Sequence, residues 1–348
     1  MKKIYNNLNK GGKGMGLTVG IVGATGAVGR KMIEVLEEKN IPIDRIKLFA
    51  SEKSAGKRMT FGGREIEVEL LTEDVMKDRY DYILFAAGAK VSAKFAPIAA
   101  EAGNIVIDNS SYFRMVDGIP LVVPEINGHV VKGYRGIIAN PNCSTIQMLM
   151  AIGPIYRKYG IKRIVVSTYQ AVSGSGYKAI EELNNQIKDE NYPNKVYTRK
   201  IFGNCIPHID EFNENGFTKE EMKMINETHK ILDDDTIEIN ATAVRVPVFN
   251  GHSESIYLEL KEEANIEEIR ELLANSKGVI VEDEPMENRY PTPLEVSGRD
   301  FTYVGRIRRD LFNPKALSMW VVADNLRKGA ATNAIQILEK IEEYKMEG

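Results

Sequence analysis

The stretch "LTVGIVGATGAVGRKM", Leu17 to Met32, limits the fold of this chain more than any other. An apolar run suited to a buried strand is followed at once by Gly23, Gly26 and Gly29. Apolar Val28, Met32, Val35 and Leu36 then recur at helical spacing. Glycine permits a tight turn and lets backbone N–H groups come close to an anion, and a helix N-terminus adds partial positive charge. Strand, glycine turn and helix in that order form the setting in which such a loop cradles a pyrophosphate. The spacing here is G-x-x-G-x-x-G, a variant of the commoner G-x-G-x-x-G. The expected pyrophosphate loop is Gly23, Ala24, Thr25, Gly26, Ala27 and Val28.

The same alternation continues downstream. "RIKLFAS", Arg45 to Ser51, reads as a second strand, "YDYILFAAG" as another, "KFAPIAAEAG" as a helix closed by Gly103, and "NIVIDNS" as the next strand. Strands alternating with helices imply an α/β, Rossmann-like parallel sheet. Beyond it, "IKRIVVSTYQAVSG", "TIEINATAVRVPVFNGHSESIYLELK" and "RDFTYVGRIRRD" read as long strands rich in β-branched and aromatic residues, with "NIEEIRELLANSK" as a helix on one face. That predicts an α+β domain with a mostly antiparallel sheet. The helical pattern of "NLRKGAATNAIQILEKIEEYK" is expected to return to the first domain. The domains expected are 17–142 plus 325–348, which bind the nucleotide, and 143–324, for catalysis and dimerisation. A chain of 348 residues has room for both cores.

Composition narrows the partners. The net charge is −3, with 43% apolar and 27% charged residues, so no nucleic acid or anionic membrane is expected as partner. No apolar run approaches the roughly 18 residues of a membrane span. "MKKIYNNLNKGGKG" has charges without an apolar block, so a cytoplasmic protein is expected. Residues 1–14 read as an extension ahead of a start at Met15. No metal is expected.

The second strand must deliver a group to the adenosine ribose. An NAD enzyme usually has Asp or Glu there for the 2′-hydroxyl. Here the strand runs into "FASEKSAGKR", where Ser51, Lys53 and Ser54 suit a 2′-phosphate by charge and hydrogen bonds. Glu52 opposes that unless it faces away. NADP is the expected cofactor, with NAD as the weaker alternative.

The two cysteines, Cys143 and Cys205, are expected as free thiols. Cys143 begins the helical run "CSTIQMLMAIGPIYRKYG" after Asn142, a good capping residue. A helix N-terminus favours a thiolate, which makes Cys143 the candidate nucleophile. Cys205 has no helix start beside it and reads as a small buried hydrophobe. Among the four histidines, His129, His208 and His229 read as surface or satisfied groups. His252, expected in a turn after Gly251, is the best acid/base candidate, with Arg245 seven residues upstream.

In their order, "GATGAVG", "DNSSYFRM", "PLVVPEIN", "NPNCST", "QAVSGSG", "EEMK", "RVPVFNGHSES" and "DNLRKGAA" resemble aspartate-semialdehyde dehydrogenase of the bacterial type, from about Leu17 to the C-terminus. The resemblance implies NADPH-dependent reductive dephosphorylation of L-4-aspartyl phosphate to L-aspartate 4-semialdehyde and phosphate, on the route to lysine, threonine, methionine and isoleucine. It implies Cys143 as nucleophile, His252 as acid/base and Gln170 as the residue orienting the acyl intermediate. Arg245 then clamps the substrate α-carboxylate, Glu220 meets its α-ammonium, and Arg114, Asn142 and Lys223 hold phosphate. Ser173, Gly174 and Asn325 join the cofactor-binding set, and a homodimer or homotetramer is implied. Without the resemblance, Glu220 and Lys223 read as a solvated helix face, Arg114 as a loop charge and Arg245 as a structural ion pair. N-acetyl-γ-glutamyl-phosphate reductase shares the chemistry but lacks the Asn-Cys-Ser-Thr run. A nucleotide-binding regulator with a dead site is the alternative outside enzymes; intact Cys143, Gln170, Arg245 and His252 speak against it.

Overall fold

The computed structural model describes residues 16–347, so the expected extension before Met15 lies outside the described residues. Two compact units divide the chain. One ends at Pro141 and resumes at Ala330; the other runs from Asn142 to Gly329.

The first unit holds a seven-stranded sheet: β1 (Leu17–Val22), β2 (Ile43–Ala50), β3 (Arg58–Phe61), β4 (Arg64–Leu70), β5 (Tyr82–Phe85), β6 (Ile105–Asp108) and β7 (Ile137–Ala139), in the order β3-β4-β2-β1-β5-β6-β7. Every pairing is parallel except β3 with β4. β1 is central and buried because helices cover both faces of a parallel sheet; Ile21 sits in register with Leu48 on one side and Leu84 on the other. Helix α1 (Ala27–Glu38) turns Met32, Ile33, Val35 and Leu36 into this core. Helix α2 is Ala89–Glu101. The C-terminal helix, Thr332–Glu347, adds Ala334, Ile335, Ile337, Leu338 and Ile341 to the same cluster. Each buried Ile or Leu among these contributes about 1.5–3 kcal/mol. The β3–β4 hairpin was not among the expected elements. Its signal is Gly62-Gly63 between runs of alternating character, and its short, charged strands suit a sheet edge.

The second unit holds β8 (Ile161–Gln170), β9 (Glu238–Arg245), β10 (His252–Leu260), β11 (Val279–Val281), β12 (Thr302–Arg309) and β13 (Ala316–Ala323), in the order β11-β12-β13-β10-β8-β9. Three of its pairings are antiparallel, while β8–β9 and β11–β12 are parallel. Helices α3 (Cys143–Tyr159), α4 (Tyr177–Lys188), α5 (Lys219–Leu232) and α6 (Ile266–Ala274) complete it. Along β10 the even-numbered residues are buried and Ser255, Tyr257 and Glu259 are partly exposed, the period of two of a half-covered sheet. The expected turn at His252 is corrected: His252 is the first residue of β10 and lies on its buried face.

Candidate active site

At the head of α3, Asn142 is the N-cap. Its side-chain Oδ1 accepts from Ser144 N at 2.9 Å and Thr145 N at 3.2 Å, which satisfies two donors that a helix start leaves open. The same residue faces two acids of α5. Its Nδ2 donates to Glu220 Oε1 at 2.8 Å and its backbone N–H to Glu227 Oε2 at 2.6 Å. Cys143 follows as the first helical residue, partly exposed and outside any disulfide.

α3 is tied to β10 one turn further on. Gln147 Nε2 donates to the backbone carbonyl of His252 at 3.3 Å, so the element that begins with Cys143 is bonded to the residue that begins β10. The imidazole is oriented by backbone: Ala171 N–H donates to His252 Nδ1 at 3.0 Å. A nitrogen that accepts carries no proton, so the neutral ring holds its hydrogen on Nε2. Nε2 is buried and has no hydrogen-bond partner among the described residues. Burial, followed by the positive charge of Arg245, holds the imidazole well below its usual range.

Arg245 closes β9 and is 4% exposed. Its Nη1 donates to the Ala171 carbonyl at 2.6 Å, its guanidinium lies 5.9 Å from the Tyr197 ring centroid, and its Nε has no partner. Among the described residues no carboxylate pairs with it. A buried cation without an acid calls for an anionic ligand. Gly174 leaves room for one: a Cβ there would come within 3.1 Å of Arg245 Nη1 and 3.2 Å of His252 Nε2.

Gln170, at the end of β8, donates through Nε2 to Thr168 Oγ1 and to Glu220 Oε1, both at 3.3 Å. Burial alone would raise the Glu220 carboxyl, but the Lys223 charge and hydrogen bonds from Asn142, Lys223 and Gln170 bring it below its usual range. Lys223 is raised in spite of its own burial, by Glu220 and Asp210. Its Nζ donates to Asp210 at 2.7 Å and Glu220 at 3.1 Å.

The second unit therefore gathers Asn142, Cys143, Gln170, Glu220, Lys223, Arg245 and His252 on adjoining elements. Ser173 and Asn325 are buried there too, within 3.2 Å of each other through Ser173 Oγ and Asn325 Oδ1. Arg114 belongs to the first unit, where its Nε donates to Asn140 O at 2.9 Å and its Nη2 to Asn109 O at 3.0 Å.

The glycine loop of the first unit has the shape of an anion cradle. Gly23 has φ +80°, and a Cβ on it would lie 2.8 Å from Ala86 O, just past β5. This is where strand order reverses around β1, the place at which open α/β sheets take ligands. A Cβ on Gly29 would lie 2.3 Å from Gly23 O, so α1 approaches the strand end as only glycine allows. No side chain caps the start of α1, which leaves its first N–H groups for an anion. A dinucleotide pyrophosphate fits this loop.

After β2, Ser54 N and Ala55 N both donate to Ser51 O, at 2.9 and 3.0 Å. That is a turn of helix, in which successive side chains step by about 100°. Ser51 and Ser54 therefore share a side of this turn, and Glu52 and Lys53 lie to either side of it.

The remaining histidines and the second thiol sit apart. His229 Nε2 lies 2.8 Å from Ile237 O, His208 stacks on Phe212 at 4.5 Å, and His129 occupies a 3-10 turn. Cys205 is exposed, not buried as expected, because Ile206 beside it turns inward. Glu227 and Gln147 were not singled out. The spacing of Glu220, Lys223 and Glu227 at i, i+3 and i+7 marks one helix face and was the available signal for Glu227.

Comparison with known proteins agrees with this architecture. Residues 18–134 match the family described as "Semialdehyde dehydrogenase, NAD binding domain", and residues 152–328 match "Semialdehyde dehydrogenase, dimerisation domain". The aspartate-semialdehyde dehydrogenase of Aquifex aeolicus is 55% identical over 332 residues, covering 93% of this chain and 98% of that protein. A solved structure of aspartate semialdehyde dehydrogenase II from Vibrio cholerae, complexed with ASA, is 46% identical with a TM-score of 0.91, covering 94% of this chain and 98% of the other. The Candida albicans enzyme, solved with NADP, is 26% identical with a TM-score of 0.74, covering 95% and 99%. With these matches spanning both units and nearly the whole of each relative, the chain belongs to the aspartate-semialdehyde dehydrogenase family.

Proposed function

We propose that this chain catalyses the reversible, NADPH-dependent reductive dephosphorylation of L-4-aspartyl phosphate to L-aspartate 4-semialdehyde and phosphate, through a thioester on Cys143. The observation that carries the reading is the buried, acid-free guanidinium of Arg245 beside the Nε2 of His252, in the unit that also presents Cys143 at a helix start.

The thiolate of Cys143 attacks the acyl carbon. The carbon–oxygen bond to phosphate breaks, and phosphate leaves to Arg114, Asn142 and Lys223. The nicotinamide, when bound, supplies the hydride that reduces the thioester carbonyl. His252 shares its Nε2 proton with the oxygen of the tetrahedral thiohemiacetal as it forms, and recovers it when the carbon–sulfur bond breaks to release aldehyde and thiolate. Arg245 takes the substrate α-carboxylate in a two-pronged hydrogen bond. Glu220, held ionised by its neighbours, takes the α-ammonium, and Gln170 orients the acyl group.

The nucleotide set is Gly23 to Val28, Ser51, Lys53, Ser54, Ser173, Gly174 and Asn325, with NADP preferred over NAD; the NADP in the Candida albicans relative supports NADP as a ligand of this fold. Nucleotide binding is assigned to the domain expected as 17–142 plus 325–348 and catalysis to that expected as 143–324, although the compact units divide after Pro141 and after Gly329. The product feeds lysine, threonine, methionine and isoleucine synthesis in the cytoplasm, and the enzyme works as a homodimer or homotetramer; the dimerisation-domain match supports self-association. Among the described residues no helix is long and apolar enough to cross a membrane.

The test supplies semialdehyde, phosphate and NADP and follows the absorbance of the reduced cofactor. Reduction that requires phosphate is expected. Reduction at the same rate without phosphate, or none with purified protein, overturns the reading. Iodoacetamide near neutral pH should label Cys143 and substrate should protect it.

A further inference from the structure

Two residues along β10 from His252, on the same buried face, lies a carboxyl that the proposed chemistry does not use. Glu254 has no accessible surface, and neither of its oxygens has a hydrogen-bond partner of ordinary geometry. Among the described residues no lysine or arginine pairs with it. Glutamate is almost never fully buried unless it is paired, because an isolated carboxylate in a dry interior costs far more than a neutral acid. In register it stands opposite Thr168 on β8 and Val321 on β13, one polar and one apolar neighbour. Burial pushes its proton affinity well above the usual carboxyl range, and the Gln147 amide offsets this only in part.

Gln147 supplies the second half. It is fully buried, one N–H of its Nε2 goes to the His252 carbonyl, and its Oε1 has no donor. Gln147 Oε1 and both Glu254 oxygens are thus buried with no hydrogen-bond partner of ordinary geometry, while the second N–H of the Gln147 amide is the group that partly offsets the effect of burial on Glu254. One proton on Glu254 resolves this: the acid O–H donates to Gln147 Oε1. Thr168 Oγ1 already accepts from Gln170 Nε2, so its own hydrogen is free to turn elsewhere.

We propose that Glu254 is a positioning residue: held as the neutral acid, it donates to Gln147 Oε1 and fixes the amide that ties the helix beginning at Cys143 to the strand beginning at His252. A neutral acid kept as a donor inside an apolar site is an established device of enzymes. Glu254 touches no substrate; it acts through Gln147 on the separation of two other side chains. The inference rests on the reading of Cys143 and His252 as the reacting pair.

The experiment combines infrared difference spectra with kinetics of the full-length enzyme. Subtracting the spectrum of Glu254→Gln from that of the natural protein near pH 8 should leave a carboxylic-acid carbonyl band. A carboxylate band in its place overturns the proposal, whatever the kinetics. Glu254→Gln keeps an N–H donor, so kcat should stay within about twofold, whereas Glu254→Met keeps the volume without the donor and should lower kcat about tenfold with KM little changed. Equal kcat for both variants, whether natural or reduced, sinks the positioning role. If Glu254→Met does not fold, the spectrum and Glu254→Gln still decide. Alkylation of Cys143 in the natural protein that substrate does not prevent would instead point at the underlying reading, since the infrared band does not depend on turnover.

Discussion

Ala171 N–H donates to His252 Nδ1 at 3.0 Å, and this one contact fixes which face of the imidazole is chemically useful. Its carbonyl, in the next peptide, receives Arg245 Nη1 at 2.6 Å, so one residue aligns both side chains. An imidazolium would carry a hydrogen on Nδ1 and meet the Ala171 N–H donor to donor. Backbone geometry, burial and the Arg245 charge therefore all favour the neutral ring.

The pH dependence of stability follows from this. The folded-state value of His252 lies well below its unfolded value near 6.5. Between the two the unfolded chain binds a proton that the folded chain does not, so stability rises with pH through that window. The contribution is complete above about pH 6.5 and is lost as pH falls below it. Chemical denaturation of the natural protein and His252→Asn, from pH 8 to pH 5, should show the stability gap narrowing on acidification. A constant gap would mean that the ring is not held neutral.

Gly174 should be intolerant of a methyl group for reasons of chemistry, not folding. Its φ lies outside the left-handed region, yet a Cβ would press on Arg245 Nη1 and His252 Nε2. Gly174→Ala is expected to cut kcat/KM by roughly tenfold or more, with thermal stability held or slightly raised by the smaller unfolded-state entropy. Parallel losses of activity and melting temperature would show a packing role instead.

The two thiols should separate cleanly. Cys143→Ala removes the attacking sulfur and should abolish turnover while leaving NADP binding intact. Cys205 is exposed and far from any helix start in sequence, so Cys205→Ala should keep most activity. Steady-state rates and cofactor titration check both, and equal losses would sink the assignment.

How far the sequence could be read depended on whether a signal was local. The glycine loop, the alternating strands and the helix start at Cys143 are written in neighbouring residues, and they appear in the fold as expected. The β3–β4 hairpin carried a local signal too, but its charged strands imitate a loop. What no local pattern contains is the meeting of β8, β9 and β10 at Ala171, since Arg245 and His252 reach it from 74 and 81 residues away. Glu227 and Gln147 were illegible for the same reason: each looks like an ordinary helix residue until the partner element is in place. Cys205 failed on a single side-chain direction, which one residue of register decides.

Arg245 is expected to act as a fork, not as a bare charge. Arg245→Lys keeps the cation but cannot bridge a carboxylate with two parallel bonds, and it also loses the flat face that lies near Tyr197. The loss in kcat/KM for the semialdehyde should be on the order of 1–3 kcal/mol, the range for a charged hydrogen bond. Wild-type kinetics in Arg245→Lys would remove the clamp from the proposal.

The cofactor preference turns on the helical turn that follows β2. Ser51 and Ser54 share one side of it, and Lys53 is exposed about 100° from Ser54 around the turn axis. Two hydroxyls with an ammonium alongside suit a 2′-phosphate, since the hydroxyls fix direction and the ammonium supplies charge. Glu52 is exposed as well, and its carboxylate suits a bare ribose. The same turn sets Glu52 about 100° from Ser51, as it sets Lys53 about 100° from Ser54, so the acid and the ammonium flank the two hydroxyls on either side. With NADP as the proposed cofactor and residual NAD activity expected, Lys53→Ala should raise KM for NADP far more than for NAD. Glu52→Gln should move the other way, lowering KM for NADP. If Lys53→Ala raises both KM values by the same factor, Lys53 is a solvated charge and the preference lies in the serines alone.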